Sequence, residues 1–272
     1  MGPGAADHRL RPAGRGRAPE AGGRMNPLTV LSLFAGIGGL ELGLERAGMR
    51  VVGQVELDPW CRQVLAHHWP EVPRHDDVRT AVDWWHSQPR PDVELVAGGF
   101  PCQPFSTYGR RRGIADERWG WPWMRDVIDA IRPRYVLAEN VAALLRDTDA
   151  FRIILDDLSH LGYLVEWSVV PACSLGAPHT RQRLFVLAHP AGNDGQRPLH
   201  LPAPLPPGRP RSGAAGGQTR AERWLPEPDV GRVAHGLPKR LVASHLRALG
   251  NAVVPAVTEH IGRALLAHTT TR

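Results

Sequence analysis

Cys102 stands where a nucleophile could act on a bound substrate. It follows the apolar run Val93–Ala97 and lies between Pro101 and Pro104. A residue at the carboxyl end of a buried parallel strand lies in the crevice where such sheets bind ligands. A thiolate is a strong nucleophile when its surroundings stabilise the anion, although a lone cysteine is more often a small buried apolar residue. The immediate neighbourhood therefore leaves both interpretations of Cys102 open.

Charged side chains flank two other apolar runs. Glu139 directly follows such a run, which predicts that its carboxyl group points into the same crevice as Cys102. Arg181 and Arg183 precede Leu184–Leu187, and the period of two along a strand predicts that both arginines lie on one side. These charged groups favour the interpretation of the cysteine as a nucleophile.

A glycine turn after the first apolar run predicts a nucleoside site. Residues 31–40 have the pattern of a strand, a turn and a helix start, with Gly36, Gly38 and Gly39 in the turn. Glycine lets the backbone turn tightly and brings amides close to a ligand at the end of the strand. The third glycine of the dinucleotide fingerprint is replaced by Glu41. A nucleoside is therefore a better candidate ligand than a pyrophosphate.

Two acidic residues follow at positions suited to a nucleoside. Glu56 ends the next apolar run, Val51–Val55, and could accept hydrogen bonds from both ribose hydroxyls. Asp77 comes after a third short segment and could reach the adenine amino group. The simpler alternatives are a charge at a helix N-terminus for Glu56 and an ordinary loop residue for Asp77.

Taken in order, these motifs resemble those of the DNA cytosine-5 methyltransferase family. The similarity covers roughly residues 28–189 and 246–266. Each motif is common by itself, but the ordered set is highly specific. The matching motifs are Phe34-x-Gly36-x-Gly38-Gly39, Pro101-Cys102-Gln103, Glu139-Asn140-Val141, Arg181-x-Arg183 and Gly250-Asn251-x-Val253.

The resemblance implies methyl transfer from S-adenosyl-L-methionine to carbon 5 of a cytosine flipped out of the double helix. Cys102 would add to carbon 6 of the ring and make carbon 5 nucleophilic. Glu139 would hold the ring nitrogen N3 and the exocyclic amine. Arg183, supported by Arg181, would bind the cytosine carbonyl and stabilise the developing charge. The scheme needs no metal.

The resemblance also implies two sets of binding residues. The expected cofactor contacts are Phe34, Gly36, Gly38, Gly39, Glu56, Leu57, Asp77, Val78, Pro101, Asn251 and Val253. The expected DNA contacts are Gln103, Ser106, Arg110, Arg111 and Arg112. In the family, the last helix begins at Gly250-Asn251 and packs beside the first strand. The alternative for the arginine triplet is a solvated surface loop.

Apolar runs alternate with amphipathic segments from Leu28 to about Ala188, which predicts an α/β fold with helices on both faces of the sheet. The resemblance makes this a doubly wound, mostly parallel, Rossmann-like sheet of the class I S-adenosylmethionine-dependent methyltransferases, with a small irregular target-recognition region. The expected divisions are a disordered basic tail at 1–26, a catalytic and cofactor-binding domain at 27–189, the recognition region at 190–240 and a returning C-terminal helix at 241–272.

Further elements are predicted from local patterns. The expected strands are Thr29–Phe34, Arg50–Val55, Val93–Ala97, Tyr135–Ala138, Val165–Val170 and Leu184–Leu187. The expected helices are Leu40–Ala47, Pro59–His68, Met124–Ile131, Phe151–Leu161 and Ala252–Leu266. The tryptophans at 119, 121 and 123 are expected to pack in the core and at a helix start rather than to stack on a ligand.

Composition restricts the setting. The 272 residues carry a net charge of +6, which favours a polyanionic partner such as double-stranded DNA. Three scattered cysteines favour a reducing cytoplasm over a disulfide framework. No apolar stretch is long enough for a membrane span. We expect a monomer, with a cognate restriction endonuclease as partner if the enzyme serves restriction-modification.

Three other functions compete with methylation of DNA. One branch of the same family methylates cytosine in transfer RNA with the same motifs. A catalytically inactive DNA-binding paralogue would retain the fold. A nicotinamide oxidoreductase is disfavoured by the glycine pattern and leaves Pro101-Cys102-Gln103 without a role. The recognised DNA sequence is not predicted by any of these motifs.

Overall fold

The computed structural model describes residues 27–102, 119–190, 201 and 247–270. Seven strands form one sheet. They are β1 (Thr29–Leu33), β2 (Arg50–Val55), β3 (Arg74–His75), β4 (Leu95–Gly99), β5 (Tyr135–Val141), β6 (Tyr163–Pro171) and β7 (Gln182–Pro190). The helices are α1 (Gly39–Ala47), α2 (Pro59–His68), α3 (Ala81–His86), α4 (Trp121–Ile131), α5 (Thr148–His160) and α6 (Pro255–Thr270).

The strand order is β3-β2-β1-β4-β5-β7-β6. Strands β1 to β5 are parallel to one another, whereas β7 is antiparallel to both β5 and β6. The mostly parallel α/β sheet is therefore confirmed. The reversal of β7 is functionally important because the start of an antiparallel strand lies at the carboxyl edge of its parallel neighbours. Arg183, near the start of β7, is thereby paired with Val141 at the end of β5.

The core has a layer on each face of the sheet. Successive residues of β1 point to opposite faces, so Val30 packs in one layer and Leu31 in the other. The first layer includes α1 and α6, with Leu44 and Ile261 fully covered. The second includes α4 and α5, with Ile154 among its buried residues. Burial of apolar side chains on both faces stabilises the sheet edge that carries the site.

Helices α1 and α6 pack closely along a row of small residues. A Cβ added to Gly43 would overlap the Thr258 side chain and the Pro255 carbonyl. One added to Gly262 would lie 2.8 Å from the Ala47 Cβ atom. The resemblance predicted that the last helix packs beside the first strand. Ile261 of α6 lies in the same core layer as Val30 of β1, and the element that α6 packs against directly is α1.

Several predicted boundaries were wrong. The last helix was expected from Ala252, but residues 247–251 form a short helical turn and α6 begins at Pro255. The residue before a proline is disfavoured in the α conformation, which explains the break at Val254. Strand β3 and helix α3 were not predicted, because two and six residues are too short for a clear period. Strands β6 and β7 extend beyond their predicted ends.

Some predictions fall on residues outside the described ranges. These are the basic tail at 1–26, all of the recognition region except Pro190 and Leu201, and the expected DNA contacts Gln103, Ser106, Arg110, Arg111 and Arg112. Among the described helices, none combines the length and apolar character needed to cross a membrane.

Candidate active site

A cavity of about 800 Å³ opens at the carboxyl edge of the sheet. It brings together the predicted reactive side chains Cys102, Glu139 and Arg183. The predicted cofactor residues that line it are Phe34, Gly36, Glu56, Leu57, Asp77, Val78, Pro101, Asn251 and Val253. We call the part around Cys102, Glu139 and Arg183 the base half, and the part around Phe34, Gly36 and Glu56 the cofactor half.

The segment that carries Cys102 is held from two sides. Asn140 Nδ2 donates to the Phe100 carbonyl oxygen at 3.0 Å, while its Oδ1 accepts from the Val141 amide at 2.8 Å. On the other side, the Gly120 amide donates to the Pro101 carbonyl oxygen at 3.0 Å. The motif Glu139-Asn140-Val141 carries no local signal for the role of Asn140, whose two hydrogen bonds fix the backbone where it leaves β4.

The Cys102 thiol is buried, with 8% of the residue exposed. Burial raises its pKa to about 12, and the negative charges of Asp147 and Glu139 act in the same direction. At neutral pH the thiol is therefore protonated in the free protein. Its anion needs stabilisation from a bound substrate, because nearby carboxylates and a low-dielectric setting disfavour it.

Glu139 and Arg183 form an ion pair beside the thiol. Arg183 Nε lies 3.0 Å from Glu139 Oε1. The N–H does not point well at this oxygen, so Oε1 is buried without a properly directed hydrogen bond from any described residue. A Cβ at Gly99 would lie 2.8 Å from Glu139 Oε2, which explains the glycine there.

Burial raises the pKa of Glu139 to about 7, against the opposing effects of Arg183 and Arg181. A carboxyl group with such a pKa is present in both protonation states near neutral pH, so Glu139 is able to donate or accept a proton.

Arg181 lies close enough to Glu139 and Arg183 to interact with both electrostatically, but its hydrogen-bond partners differ. It stands just before β7, which begins at Gln182, and has a left-handed φ of 23°, so the strand period of two does not by itself place its side chain. Arg181 Nη2 donates to the carbonyl oxygens of Gly250 and Ala252 at 2.7 and 2.5 Å. The guanidinium groups thus have different partners.

The cofactor half is organised around Glu56. Its Oε2 accepts from the Gly36 amide at 2.6 Å, and its Oε1 accepts from the Asp58 amide at 2.7 Å. The carboxyl group therefore links the turn after β1 to the loop after β2. Burial raises the pKa of Glu56, and the two amide hydrogen bonds oppose this effect. Each oxygen retains a lone pair for a ligand hydroxyl.

The three glycines of the turn have different roles. Gly36 lines the cavity and has a left-handed φ of 58°. Gly38 and Gly39 are absent from the cavity lining as described. A Cβ on Gly38 would overlap the Trp69 ring, and one on Gly39 would overlap the Val253 carbonyl oxygen. These two glycines permit close packing that holds the cofactor half together.

Asp77 lines the cavity, but its carboxylate already has a cationic partner. Arg79 Nε lies 2.9 Å from Oδ1, and Arg79 Nη2 lies 2.5 Å from Oδ2. The hydrogen bond from Arg79 lowers the pKa of Asp77. Asp77 also accepts from the Arg79 amide and so begins the short 3-10 turn Val78–Thr80. Nearby Leu57 is 70% exposed and offers an apolar surface.

The tryptophans at the start of α4 divide between core and cavity. Trp121 is fully buried and its Nε1 donates to Asp157 Oδ2 at 2.8 Å, as expected for packing. Trp119 is buried and pairs with Cys102 through an isolated antiparallel bridge. Trp123 instead lines the cavity, with Arg79 6.0 Å above its ring. Its sequence context gave no signal that separated it from Trp121.

Comparisons with known proteins agree with this geometry. A family model described as C-5 cytosine-specific DNA methylase matches residues 28–206. The type II methyltransferase M.BsuFI of Bacillus subtilis is 38% identical over 173 residues, covering 60% of this chain and 40% of the relative. M.NgoBI of Neisseria gonorrhoeae is 32% identical over 184 residues, covering 66% and 55%.

Solved structures show the same fold. A DNA modification methyltransferase encoded within an E. coli prophage matches with a TM-score of 0.51 and 26% identity, over 60% of this chain and 47% of that one. The Dnmt2 methyltransferase of S. pombe matches with a TM-score of 0.50 and 25% identity, over 60% and 51%. The chain spans about half the length of the curated relatives it matches. By its matched residues and its assembled motifs, the chain belongs to the C-5 cytosine-specific DNA methylase family.

Proposed function

We propose that this protein transfers a methyl group from S-adenosyl-L-methionine to carbon 5 of cytosine in double-stranded DNA. The observation that carries the proposal is the convergence of Cys102, Glu139 and Arg183 in one cavity with the glycine turn and Glu56. Family membership supports the reaction type. Relatives named as type II methyltransferases support DNA as the substrate.

The cofactor half suits an adenosine group. Glu56 is a half-buried carboxyl group that directly follows β2, the position from which an acidic residue receives ribose hydroxyls in folds of this kind. Exposed Leu57 and the neighbouring Val78 supply apolar surface for a base, and Phe34 borders the base half. Asn251 and Val253 close the opposite wall. S-adenosyl-L-methionine would supply an electrophilic methyl group on a sulfonium centre.

The base half suits covalent activation of cytosine. The Cys102 thiol would give its proton to solvent as its sulfur bonds to carbon 6, and carbon 5 would gain the electron density needed to attack the methyl group, with S-adenosyl-L-homocysteine as the leaving group. After transfer, solvent would take the carbon 5 proton, the carbon–sulfur bond would break, and the released thiolate would regain a proton from solvent. The sequence of steps involves no redox change and needs no metal.

Glu139 and Arg183 would stabilise the negative charge that moves into the cytosine ring when the buried Cys102 sulfur bonds to carbon 6. With a pKa of about 7, Glu139 is able to hold a proton for N3 as negative charge builds up on the ring. Arg183, which is 3.0 Å from Glu139, would donate to the cytosine carbonyl oxygen. Because burial raises the pKa of the Cys102 thiol, its anion is unfavourable in this cavity. Stabilisation of the ring's negative charge by Glu139 and Arg183 would therefore favour the attack.

A buried thiol reaches cytosine only if the base leaves the stack, so the proposal includes base flipping. Gln103, Ser106 and the triplet Arg110–Arg112 are proposed to contact DNA, with the arginines on phosphates. The region 190–240 is proposed to select the target sequence. We further propose that the protein acts as a monomer in the cytoplasm, in concert with a restriction endonuclease that recognises the same site.

Methyl transfer to mixed-sequence duplex DNA and to total transfer RNA, with tritiated cofactor, tests the proposal. We expect incorporation into the duplex, and bisulfite sequencing of that DNA would give the target context. Labelling of RNA alone would support the transfer RNA alternative. Cofactor binding without labelling of either substrate would support an inactive DNA-binding paralogue.

A further inference from the structure

Arg181 joins the base half of the cavity to the cofactor half. It stands two residues before Arg183, which pairs with Glu139. Its own Nη2 donates to the carbonyl oxygens of Gly250 and Ala252 at 2.7 and 2.5 Å. These carbonyls flank Asn251, which lines the cavity. The guanidinium therefore reaches from the start of β7 to the segment that closes the cofactor half.

The segment held by Arg181 lies outside the long helix. Residues 247–251 form a helical turn, and residues 252–254 have no regular structure before α6. The Ala252 amide donates back to the Ala248 carbonyl oxygen at 2.9 Å, and the Val253 carbonyl packs against Gly39. Among the described residues, the side-chain hydrogen bonds to the backbone of residues 247–254 are the two from Arg181, which directly precedes β7.

The backbone at Arg181 is adapted to this role. Its φ of 23° lies in a region that residues other than glycine seldom occupy. The unusual angle comes just before β7, where the regular strand alternation has not yet begun. The side chain donates to the carbonyl oxygens of Gly250 and Ala252.

We propose that Arg181 is a positioning residue that fixes residues 250–253 against the cofactor, and not a catalytic residue that contacts the base. The inference rests on the proposed function, which gives the two halves of the cavity their roles. It predicts that the two family arginines have separable effects. Loss of Arg181 weakens cofactor binding in the absence of DNA, whereas loss of Arg183 slows methyl transfer.

Hydrogen exchange and cofactor-product binding test this separation in the full chain without DNA. In Arg181→Met, amides in the peptide covering residues 248–257 should exchange at least about fivefold faster than in the wild type. The affinity for S-adenosyl-L-homocysteine, measured by calorimetry, should fall roughly tenfold because two hydrogen bonds from a charged donor are lost. Arg183→Met is the matched control, and should keep both quantities within about twofold.

If Arg181→Met does not fold, Arg181→Lys serves as the second variant. Lysine keeps the positive charge but lacks the planar guanidinium group whose N–H donors reach both carbonyl oxygens. Faster exchange at 248–257 in this variant supports the link. Wild-type exchange and wild-type affinity in an Arg181 variant would overturn it, as would equal losses in the Arg183 variant. If the wild type itself bound no S-adenosyl-L-homocysteine, the proposed function would fail, and the exchange data would still decide whether Arg181 holds residues 250–253.

Discussion

The two halves of the cavity differ in how fully their polar groups are satisfied before substrates arrive. In the cofactor half, both Glu56 oxygens accept backbone amides, at 2.6 and 2.7 Å. In the base half, Glu139 Oε1 is buried without a well-directed hydrogen bond from the described residues. Burial raises the pKa of the Cys102 thiol, and the negative charges near it act in the same direction.

This difference indicates a division of labour. A carboxyl group fixed by two amides forms a rigid receptor for hydroxyl groups, and little reorganisation is needed when the cofactor binds. Polar groups that remain incompletely bonded acquire their partners when the charge of the reaction develops. Under the proposed function, the cofactor half is therefore preorganised for binding, whereas the base half is arranged for the transition state.

Cys102→Ser should produce the largest effect and would separate the halves most sharply. Methyl transfer should fall by at least about a thousandfold, because a hydroxyl is a far weaker nucleophile than a thiolate. Affinity for S-adenosyl-L-homocysteine should stay within about twofold, since the thiol belongs to the base half. Cys173→Ser, at a half-buried position away from the cavity, serves as the control. Normal turnover by the Cys102 variant would refute the mechanism.

Glu41 differs from the other polar groups near the cofactor half, because one of its two carboxyl oxygens has no hydrogen-bond partner among the described residues. It is fully buried, accepts from Ser32 Oγ at 2.7 Å through Oε1, and has no partner for Oε2 among the described residues. Burial raises its pKa from 4.5 to about 7. The native state thus binds this proton more tightly than the unfolded state does.

It follows that stability should fall as the pH rises from about 4.5 to 7, because the unfolded chain ionises first. The loss attributable to Glu41 is on the order of 3 kcal/mol. Glu41→Gln should remove this part of the pH dependence in urea unfolding at pH 5 and pH 8. Exposed Glu71→Gln is the control. An unchanged slope in the Glu41 variant would show that this carboxyl group is not desolvated in solution.

Gly43→Ala tests whether close packing of α1 on α6 supports the cofactor half. The new methyl group would overlap the Pro255 carbonyl, and the shift should lower the free energy of unfolding by about 2 kcal/mol. Gly250→Ala, where a Cβ meets nothing within 4 Å, is the matched control. If the two variants had equal free energies of unfolding in chemical denaturation, the contact between α1 and α6 would accommodate the methyl group without loss of stability.

Glu56→Gln should have the smallest effect. One oxygen of the amide could still accept from Gly36 or Asp58, but the charged acceptor for the ribose is lost. We expect roughly tenfold weaker binding of S-adenosyl-L-homocysteine by calorimetry, with turnover at saturating cofactor nearly unchanged. Unaltered affinity would contradict the ribose assignment, and a large fall in turnover would contradict the separation of the halves.

The sequence predicted most of the fold because its patterns are local. Strand β2 and helix α2 have the predicted bounds, and the apolar residues Val257 and Ile261 of α6 are buried. The direction of β7 could not be predicted in this way, because an apolar run does not reveal which way a strand runs. Yet this reversal brings Arg183 to Glu139.

The sequence predicted which residues line the site more reliably than it predicted the contacts that each residue makes. Cys102, Glu139 and Arg183 line one cavity, as expected. The partners of Arg181 depend on a left-handed backbone angle, and the need for Gly39 depends on a carbonyl from residue 253. Both features arise from tertiary contacts between distant segments, which local sequence patterns do not encode.

The central claim is that Cys102 forms a covalent bond to cytosine held in the base half. A long mixed-sequence duplex containing 5-fluorocytosine tests it directly, since fluorine blocks the final loss of the carbon 5 substituent and traps the adduct. With S-adenosyl-L-methionine present, mass spectrometry of the digested complex should find the nucleotide attached to Cys102. Attachment to Cys61 or Cys173, or no adduct on DNA that the enzyme methylates in its unmodified form, would contradict the account.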